Sequence, residues 1–272
     1  MYKITGLFLL LLCLGSCKKD ETSGDTNPTF PAAEMQPVFY CFTATWDSIS
    51  GKQGKPAMDS LRLRNPNAVI INCHLNESNG KVDPLSNSWS QGLADFYSIQ
   101  VPKDSLFALP YVYFAYNGQL GGLNYTGLSA FSQQVILDWT QENIEPAMTM
   151  VINPTITASL LEISIDYKSI YSFPTKVFFS VLITENNISS PQVGDLSIKP
   201  NVHDDVLRKC LTEYNGQLVA NSLNVNQTGN FSINTNLDNS WNVDELYVNV
   251  LVWYFDPVYG NMVQLAKRQK LK

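Results

Sequence analysis

The hydrophobic pattern changes its period near residue 150, and this change constrains the fold more than any other feature of the chain. In the second half, Leu161, Ile163 and Ile165 are separated by Glu162 and Ser164. Alternation of this kind places one face of a β-strand against a core and the other face in solvent. The second half therefore predicts an all-β, antiparallel sandwich, and its length suits an immunoglobulin-like domain.

The first half instead combines short apolar runs with segments of helical spacing. Residues 38–42, 68–73 and 111–114 form continuous apolar runs, whereas apolar residues recur at helical spacing in residues 85–97 and 128–139. Strands that alternate with helices indicate crossover connections and a largely parallel sheet. The sequence thus predicts an α/β N-terminal domain followed by the β-sandwich.

The N-terminus has the features of a cleaved lipoprotein signal. Lys3 precedes the apolar residues 7–12, and Leu14-Gly15-Ser16-Cys17 then follows the pattern of a bacterial lipobox. The apolar stretch is too short to cross a bilayer, which takes about 20 residues. We therefore expect a signal peptide that is removed before Cys17, with Cys17 carrying the lipid.

The residues after Cys17 predict a tether and a location. Lys19-Asp20-Glu21 resembles the lysine-then-acids signal that directs some Gram-negative lipoproteins to the outer face of the outer membrane, and it also suits a solvated tether. Polar residues and proline dominate as far as residue 36, which predicts a flexible stalk. We expect an outer-membrane protein, anchored by lipid and facing the extracellular side. The predicted divisions are a signal peptide (1–16), a lipidated stalk (17–36), an N-terminal domain (37–147) and a β-sandwich domain (148–272).

Charge and short motifs exclude several functions. The formal net charge is −6, and the only basic cluster is at residues 267–272, so the chain lacks the phosphate-neutralising surface of a nucleic-acid binder. No phosphate loop or dinucleotide fingerprint occurs, and we predict no cofactor.

Cysteine and histidine usage argues against a disulfide scaffold and a zinc site. Beyond Cys17, the chain has only Cys41, Cys73 and Cys210, each within an apolar or strand-like run. We expect small buried residues, and a Cys41–Cys73 bridge stays open because spacing alone cannot decide pairing. With two histidines and no Cys-x-x-Cys, the sequence predicts no metal site of the usual Cys/His type.

The segment at residues 42–51 resembles the strand-to-helix corner of thioredoxin-like domains. It contains Phe42-Thr43-Ala44-Thr45-Trp46, and it is followed in order by Cys73-His74, Asp83-Pro84, Leu109-Pro110 and residues 202–208. This order is similar to that in the outer membrane protein 28-related lipoproteins of Gram-negative bacteria. The resemblance implies a thioredoxin-like fold for the N-terminal domain, with Pro110 as the cis-proline that faces the corner.

In this resemblance, the two redox positions fall on Asp47 and Ser50. Thiol–disulfide exchange requires a thiolate, which neither residue can supply. Asp47, Ser48 and Ser50 are instead good helix N-cap residues, so we expect caps on a retained scaffold. We predict no catalytic residue and no enzymatic activity.

Two further polar positions have competing interpretations. His74 lies in an apolar strand and is expected to be a core or strand-edge histidine rather than a base. His203-Asp204-Asp205 has the hard ligands that suit Ca²⁺, although adjacent acids more often form a solvated turn.

The favoured function is a non-catalytic surface lipoprotein that serves as a scaffold or binding module for an unknown glycan or protein ligand. One alternative is a glycan-binding surface lipoprotein, since exposed aromatic side chains stack on sugars. The other is a peptide-binding or chaperone-like relative of thiol–disulfide oxidoreductases, with its ligand beside Pro110. The candidate aromatic residues for the glycan alternative are Tyr171, Trp241, Trp253 and Tyr259.

Overall fold

The computed structural model describes most of the chain after the predicted stalk. The protein is mostly β, with few helices, and it is built around a curled mixed sheet. No helix in the described part of the chain is both long enough and apolar enough to cross a membrane. The described residues are 30, 36–77, 80–97, 109–116, 119–123, 146–256 and 260–272.

In the first half, the three predicted apolar runs form strands. The predicted helix at residues 85–97 is confirmed, and Asn87 caps it by accepting hydrogen bonds from the backbone N–H groups of Trp89 and Ser90. The predicted helix at residues 128–139 lies outside the described residues. The elements are β1 (Val38–Thr43), a π-helical turn (Ser50–Gly54), α1 (Lys55–Arg64), β2 (Val69–His74), α2 (Ser88–Phe96), β3 (Tyr111–Tyr116) and β4 (Gln119–Leu123).

The second half consists of strands and one short 3₁₀ turn, Val243–Glu245. The period-two pattern is confirmed in the strand at residues 160–169, where buried and less buried side chains alternate. The strands are β5 (Met148–Thr157), β6 (Leu160–Ser169), β7 (Val177–Glu185), β8 (Ile188–Ser189), β9 (Val202–His203), β10 (Val206–Cys210), β11 (Gln217–Ala220), β12 (Thr228–Asn236), β13 (Leu246–Asp256) and β14 (Gly260–Lys270).

Nine strands form the main sheet, in the order β14-β13-β7-β10-β2-β1-β3-β4, with β11 also paired to β7. The expectation of a largely parallel sheet is wrong. Strand β1 is parallel to β2 but antiparallel to β3. Phe42, near the end of β1, pairs with Tyr111, the first residue of β3, so β3 enters the sheet where β1 ends and must run in the opposite direction.

Strands from both halves of the sequence share this sheet. Strand β10 lies between β2 and β7, and Val206 pairs in parallel with Asn72. The expected sandwich with two sheets of its own is therefore corrected: a three-stranded sheet, β12-β6-β5, provides one layer, whereas the layer that faces it belongs to the main sheet. Hydrophobic periodicity predicts which face of a strand is buried, but not which distant strand pairs with it.

The core lies on both faces of the main sheet. Ile165 of β6 packs in one buried cluster with Phe179 of β7 and Val250 of β13, which joins the three-stranded sheet to the main sheet. A second cluster, beneath α2, contains Leu93 and Trp253. A smaller third cluster lies beneath α1. Among the described residues, α2 thus covers one face of the N-terminal part of the sheet and α1 covers the other.

A small antiparallel ribbon of β8 and β9 places a long loop against the first half. Ile188 pairs with His203, and Ser189 pairs with Val202. We call residues 190–201, which connect these two strands, the covering loop. It packs over the residues that follow β1, and this contact shapes the candidate site.

Candidate functional site

The corner after β1 contains the two positions that the resemblance assigns to redox cysteines. The Asp47 carboxylate accepts a hydrogen bond from the backbone N–H of Ser50, with an Oδ2–N distance of 2.6 Å. Asp47 therefore caps the first turn of the helix. Ser50 is fully buried, and its hydroxyl oxygen has no hydrogen-bond partner. The corner is chemically suited to starting a helix, and neither Asp47 nor Ser50 supplies a thiol.

The covering loop donates hydrogen bonds to the backbone carbonyl groups of this corner. The side-chain nitrogen of Gln192 lies 3.1, 3.2 and 3.1 Å from the carbonyl oxygens of Ala44, Thr45 and Asp47. The backbone N–H of Val193 also donates to the Thr45 carbonyl, at 2.9 Å. Because an amide side chain has two N–H donors, Gln192 alone can satisfy more than one of these acceptors.

Two glycines allow the loop and the helix to approach closely. A Cβ atom at Gly51 would overlap the carbonyl oxygen of Val193, and Gly194 adopts a φ of +72° with the side chain of Lys52 beside it. Leu196 donates its backbone N–H to the Gly51 carbonyl at 3.2 Å. The loop is therefore held by main-chain bonds at a distance that a larger residue at position 51 would prevent.

Pro110 lies beside the same helix. The peptide bond between Leu109 and Pro110 is cis. Pro110 is buried, and a Cβ atom at Gly54 would be only 2.7 Å from its Cγ atom. This close packing gives no support to the alternative in which a peptide binds in an open cleft beside Pro110.

The structure brings together the two histidines, which are 129 positions apart in the sequence. Their ring centroids are 5.2 Å apart, and both rings are buried. His74 Nδ1 lies 3.0 Å from Asp83 Oδ2, which also accepts the backbone N–H of Thr45 at 2.6 Å. His203 Nε2 lies 3.0 Å from the Ser190 carbonyl oxygen and donates a hydrogen bond to it. This cluster connects β2, the corner and the base of the covering loop.

Burial and hydrogen bonds set the charges of His203 and Asp83. Burial and the neighbouring His74 lower the pKa of His203 to about 4, against the weaker opposing effect of the hydrogen bond to Ser190. Burial alone would raise the pKa of Asp83, but the hydrogen bonds from His74, Thr45 and Leu85 outweigh it and lower the pKa. His203 is consequently neutral, and Asp83 is charged, at neutral pH.

A small cavity next to both rings contains no activated nucleophile among the described residues. Cys41, Lys55 and Asn72 line it together with the two histidines. Burial raises the pKa of the Cys41 thiol to about 12, so the thiolate needed for nucleophilic attack is not formed at neutral pH. The His74–Asp83 pair is oriented like a base and its supporting acid, and Asp83 also holds the backbone of Thr45 in the corner.

The three cysteines of the folded body are free and buried. Cys41 belongs to the cluster beneath α1, whereas Cys73 and Cys210 belong to the cluster on the opposite face. The Cys41–Cys73 bridge that the sequence left open is therefore absent. Burial raises the pKa of Cys210 to about 12 and also raises that of Cys73.

The acidic turn at residues 204–205 is an ion-pair centre. Asp205, at a φ of +57°, pairs through its two oxygens with Arg62 at 2.7 Å and with Arg268 at 2.6 Å. Lys199 lies 3.7 Å from Asp204. Throughout the described ranges, no group of three or more His, Cys, Asp or Glu residues is placed to hold a metal ion.

The described aromatic candidates for glycan binding differ in their exposure. Trp253 is buried and donates its indole N–H to Ser180 at 2.8 Å, so its faces cannot stack on a sugar. Trp241 is partly buried against the core, and Tyr171 is exposed. Tyr259 and the predicted lipidation site Cys17 lie outside the described residues.

The residue that does most to close the corner was not among the sequence-based candidates. Gln192 lies in a loop with no periodic pattern, and nothing in its local sequence distinguishes it from a solvent-exposed glutamine. Gly194 indicates a turn, and His203 stands beside two acidic residues, but neither signal points to the corner after β1. Only the contact between β1 and a loop from the second half reveals their joint role.

Comparison with known proteins shows similarity of fold. No protein-family model matches the chain, and no curated protein matches it significantly in sequence. The solved structures that resemble it include HBP35 of Porphyromonas gingivalis, with a TM-score of 0.63 and 12% identity over 89% of this chain and 77% of that one. A protein from Agrobacterium tumefaciens has a TM-score of 0.52 and 12% identity, over 89% of this chain and 97% of that one.

Proposed function

We propose that this chain is a lipid-anchored protein of the outer membrane, facing the extracellular side, and that its thioredoxin-like half is a non-catalytic scaffold or binding module. In this proposal, Cys17 carries the lipid, and the body beyond the stalk carries no redox activity. The second half completes the body as a sandwich that shares a layer with the first.

Strand order and connectivity support the thioredoxin-like part of the proposal. Strand β1 leads through a helix to its parallel neighbour β2, and a cis-proline precedes the antiparallel strand β3. This order agrees with the resemblance to the outer membrane protein 28-related lipoproteins.

The observation that carries the proposal is the state of the corner. Asp47 and Ser50 stand at the redox positions. The side chain of Gln192 donates hydrogen bonds to the carbonyl groups of this corner. A disulfide substrate would find neither a thiol at the corner nor open access to it. The remaining thiols are buried, with pKa values raised by burial.

An insulin-reduction assay tests the lack of redox activity. The full chain carrying Cys17→Ser is compared with the same chain in which Cys41, Cys73 and Cys210 are also replaced by alanine. We expect equal turnover at the level of the buffer. Turnover by the first protein above that of the control that lacks Cys41, Cys73 and Cys210 would show thiol chemistry and contradict the proposal.

Membrane fractionation tests the anchor separately. The native chain is expected to stay with outer membranes through a high-salt wash, because a mature lipoprotein normally carries more than one acyl chain, which gives stable attachment. Cys17→Ser is expected to be released as a soluble protein. Retention of the Cys17→Ser variant on membranes after the wash would show that the anchor lies elsewhere.

A further inference from the structure

The covering loop carries an unusual concentration of exposed aliphatic side chains. Val193 is 52% exposed, Leu196 71% and Ile198 66%, although they lie within six consecutive residues. Leu63 of α1 is 67% exposed. Exposed aliphatic residues that cluster in this way commonly indicate an interaction surface. We call these four residues the aliphatic strip.

The strip runs beside the π-helical turn and α1, which are consecutive, from the start of the turn towards the end of α1. At the start, Leu196 is bonded through its backbone to Gly51. Near the middle, the Lys55 ammonium group donates to the Ser197 hydroxyl at 2.6 Å. Towards the end, Ile198 and Leu63 line the same groove between α1 and the loop. The four aliphatic side chains therefore lie along one side of the molecule.

The edges of the strip are basic, although the whole chain is acidic. Lys52 is exposed beside Gly194, and Lys199 is exposed next to Ile198. The one carboxylate within the strip segment, Asp195, turns back into the loop and accepts the backbone N–H groups of Ser197 and Asn201. Lys52 and Lys199 are therefore the exposed lysines beside the strip, whereas the groove carboxylates of Asp59 and Asp204 are each paired with a lysine.

The stalk enters the folded body close to the same groove. Arg62 and Asp205 line the groove, and Asp205 is paired with Arg268. The backbone N–H of Arg268 donates to the side chain of Gln36, the last residue of the predicted stalk, at 3.1 Å. Gln36, which leads to the proposed lipid at Cys17, therefore lies close to the groove that Ile198 and Leu63 line.

We propose that the aliphatic strip is a membrane-contacting surface that rests on anionic phospholipid. Aliphatic side chains bordered by lysines are typical of surfaces that lie in a lipid interface, where the lysines meet anionic headgroups. Protein interfaces are instead enriched in aromatic residues and arginine and depleted in lysine, and the strip contains no aromatic residue. The inference rests on the lipid anchor of the proposed function, because the anchor brings this side to the bilayer.

The test uses the chain from residue 17 onward with Cys17→Ser, so that any binding is independent of the lipid and of the apolar residues 7–12. It is sedimented with vesicles of phosphatidylglycerol and phosphatidylethanolamine, and with vesicles of phosphatidylcholine. The strip variant is Leu196→Asp with Ile198→Asp, and the matched control is Val225→Asp, at an exposed valine in another turn. Circular dichroism checks that each variant is folded.

We expect anionic vesicles to sediment the Cys17→Ser chain and the Val225→Asp control equally. The strip variant should bind about tenfold less, because two aliphatic side chains lose their contact with apolar lipid. Equal binding by strip variant and control, or no binding by the parent, would overturn the inference. So would sedimentation-velocity evidence that the parent forms a dimer through the strip instead of binding vesicles. Any of these results leaves the anchor and redox tests of the proposed function unaffected.

Discussion

At the residue scale, Asp47 shows how a position that resembles a redox site can serve folding alone. Its carboxylate satisfies a backbone N–H in the first helical turn, at Ser50. N-terminal N–H groups have no partner within the helix, so a side-chain acceptor stabilises the helix start. The residue type that excludes thiol chemistry is therefore the one that the local structure requires.

Replacing Asp47 by alanine should lower the free energy of unfolding by about 1 kcal/mol, since the capping acceptor is lost. Asp47→Asn keeps an oxygen acceptor and should lose much less. Urea denaturation followed by circular dichroism measures both variants. Equal stability of the alanine variant and the parent would mean that the hydrogen bond to Ser50 contributes nothing.

His203 predicts how stability depends on pH. Its pKa falls from 6.5 to about 4 on folding, so between these values the unfolded chain binds a proton that the folded chain does not. Stability is fully present above pH 6.5 and declines as the pH falls towards 4, by up to about 3 kcal/mol from this group. The ionisable neighbours of His203 are His74, Asp83 and Lys55.

The variant His203→Gln removes this titration while it keeps an N–H donor for the Ser190 carbonyl. Urea unfolding at several pH values between 4 and 7 should give a shallower dependence for the variant than for the parent. Identical slopes would show that His203 is not the group that senses acid.

At the element scale, the helix after β1 and the covering loop depend on each other. Glycine normally weakens a helix by about 1 kcal/mol relative to alanine. Gly51 is nevertheless buried in the first turns, where a Cβ atom would overlap the Val193 carbonyl. The close approach of the loop explains why a glycine occupies this position.

Gly51→Ala should therefore destabilise the protein by about 1–3 kcal/mol, the usual cost of overpacking, although helix propensity alone predicts the opposite sign. The loop should also become more sensitive to proteolysis within residues 190–201. Urea unfolding and limited proteolysis measure the two effects. An increase in stability would show that the loop does not press on this helix in solution.

Strand β6, the helix start and the covering loop together show what sequence can and cannot predict. The alternation at Leu161, Ile163 and Ile165 predicted a strand and its buried face, because both depend on neighbours along the chain. The capping ability of Asp47 could also be read locally. The contact of Gln192 with Ala44 could not, since it joins residues 148 positions apart and no periodicity records it.

At the scale of the whole molecule, the shared sheet indicates that the two halves fold together. We predict one rigid body with a single cooperative unfolding transition, and the pairing of Val206 with Asn72 gives this prediction a physical basis. Asp205 strengthens the junction because its carboxylate binds Arg62 from the first half and Arg268 from the second.

Asp205→Asn tests this junction. The variant keeps a residue type that tolerates positive φ, but it leaves two partly buried guanidinium groups without their carboxylate, which should cost about 3 kcal/mol. Calorimetry should show one transition in the parent and one, at lower temperature, in the variant. The control Asp244→Asn removes an exposed pair with Lys272 and should change little. Two separate transitions in the parent would contradict joint folding.

The position of β10 also determines what a shortened chain would expose. Strand β10 covers the side of β2 that faces away from β1, and it comes from residues 206–210, long after β2 in the sequence. A polypeptide that ended before β10 would leave this edge of β2 unpaired. The edge of an apolar strand such as Val69–His74 is a template for adding strands from other molecules. During synthesis, the first half would therefore carry an aggregation-prone edge until the later residues arrive to cover it.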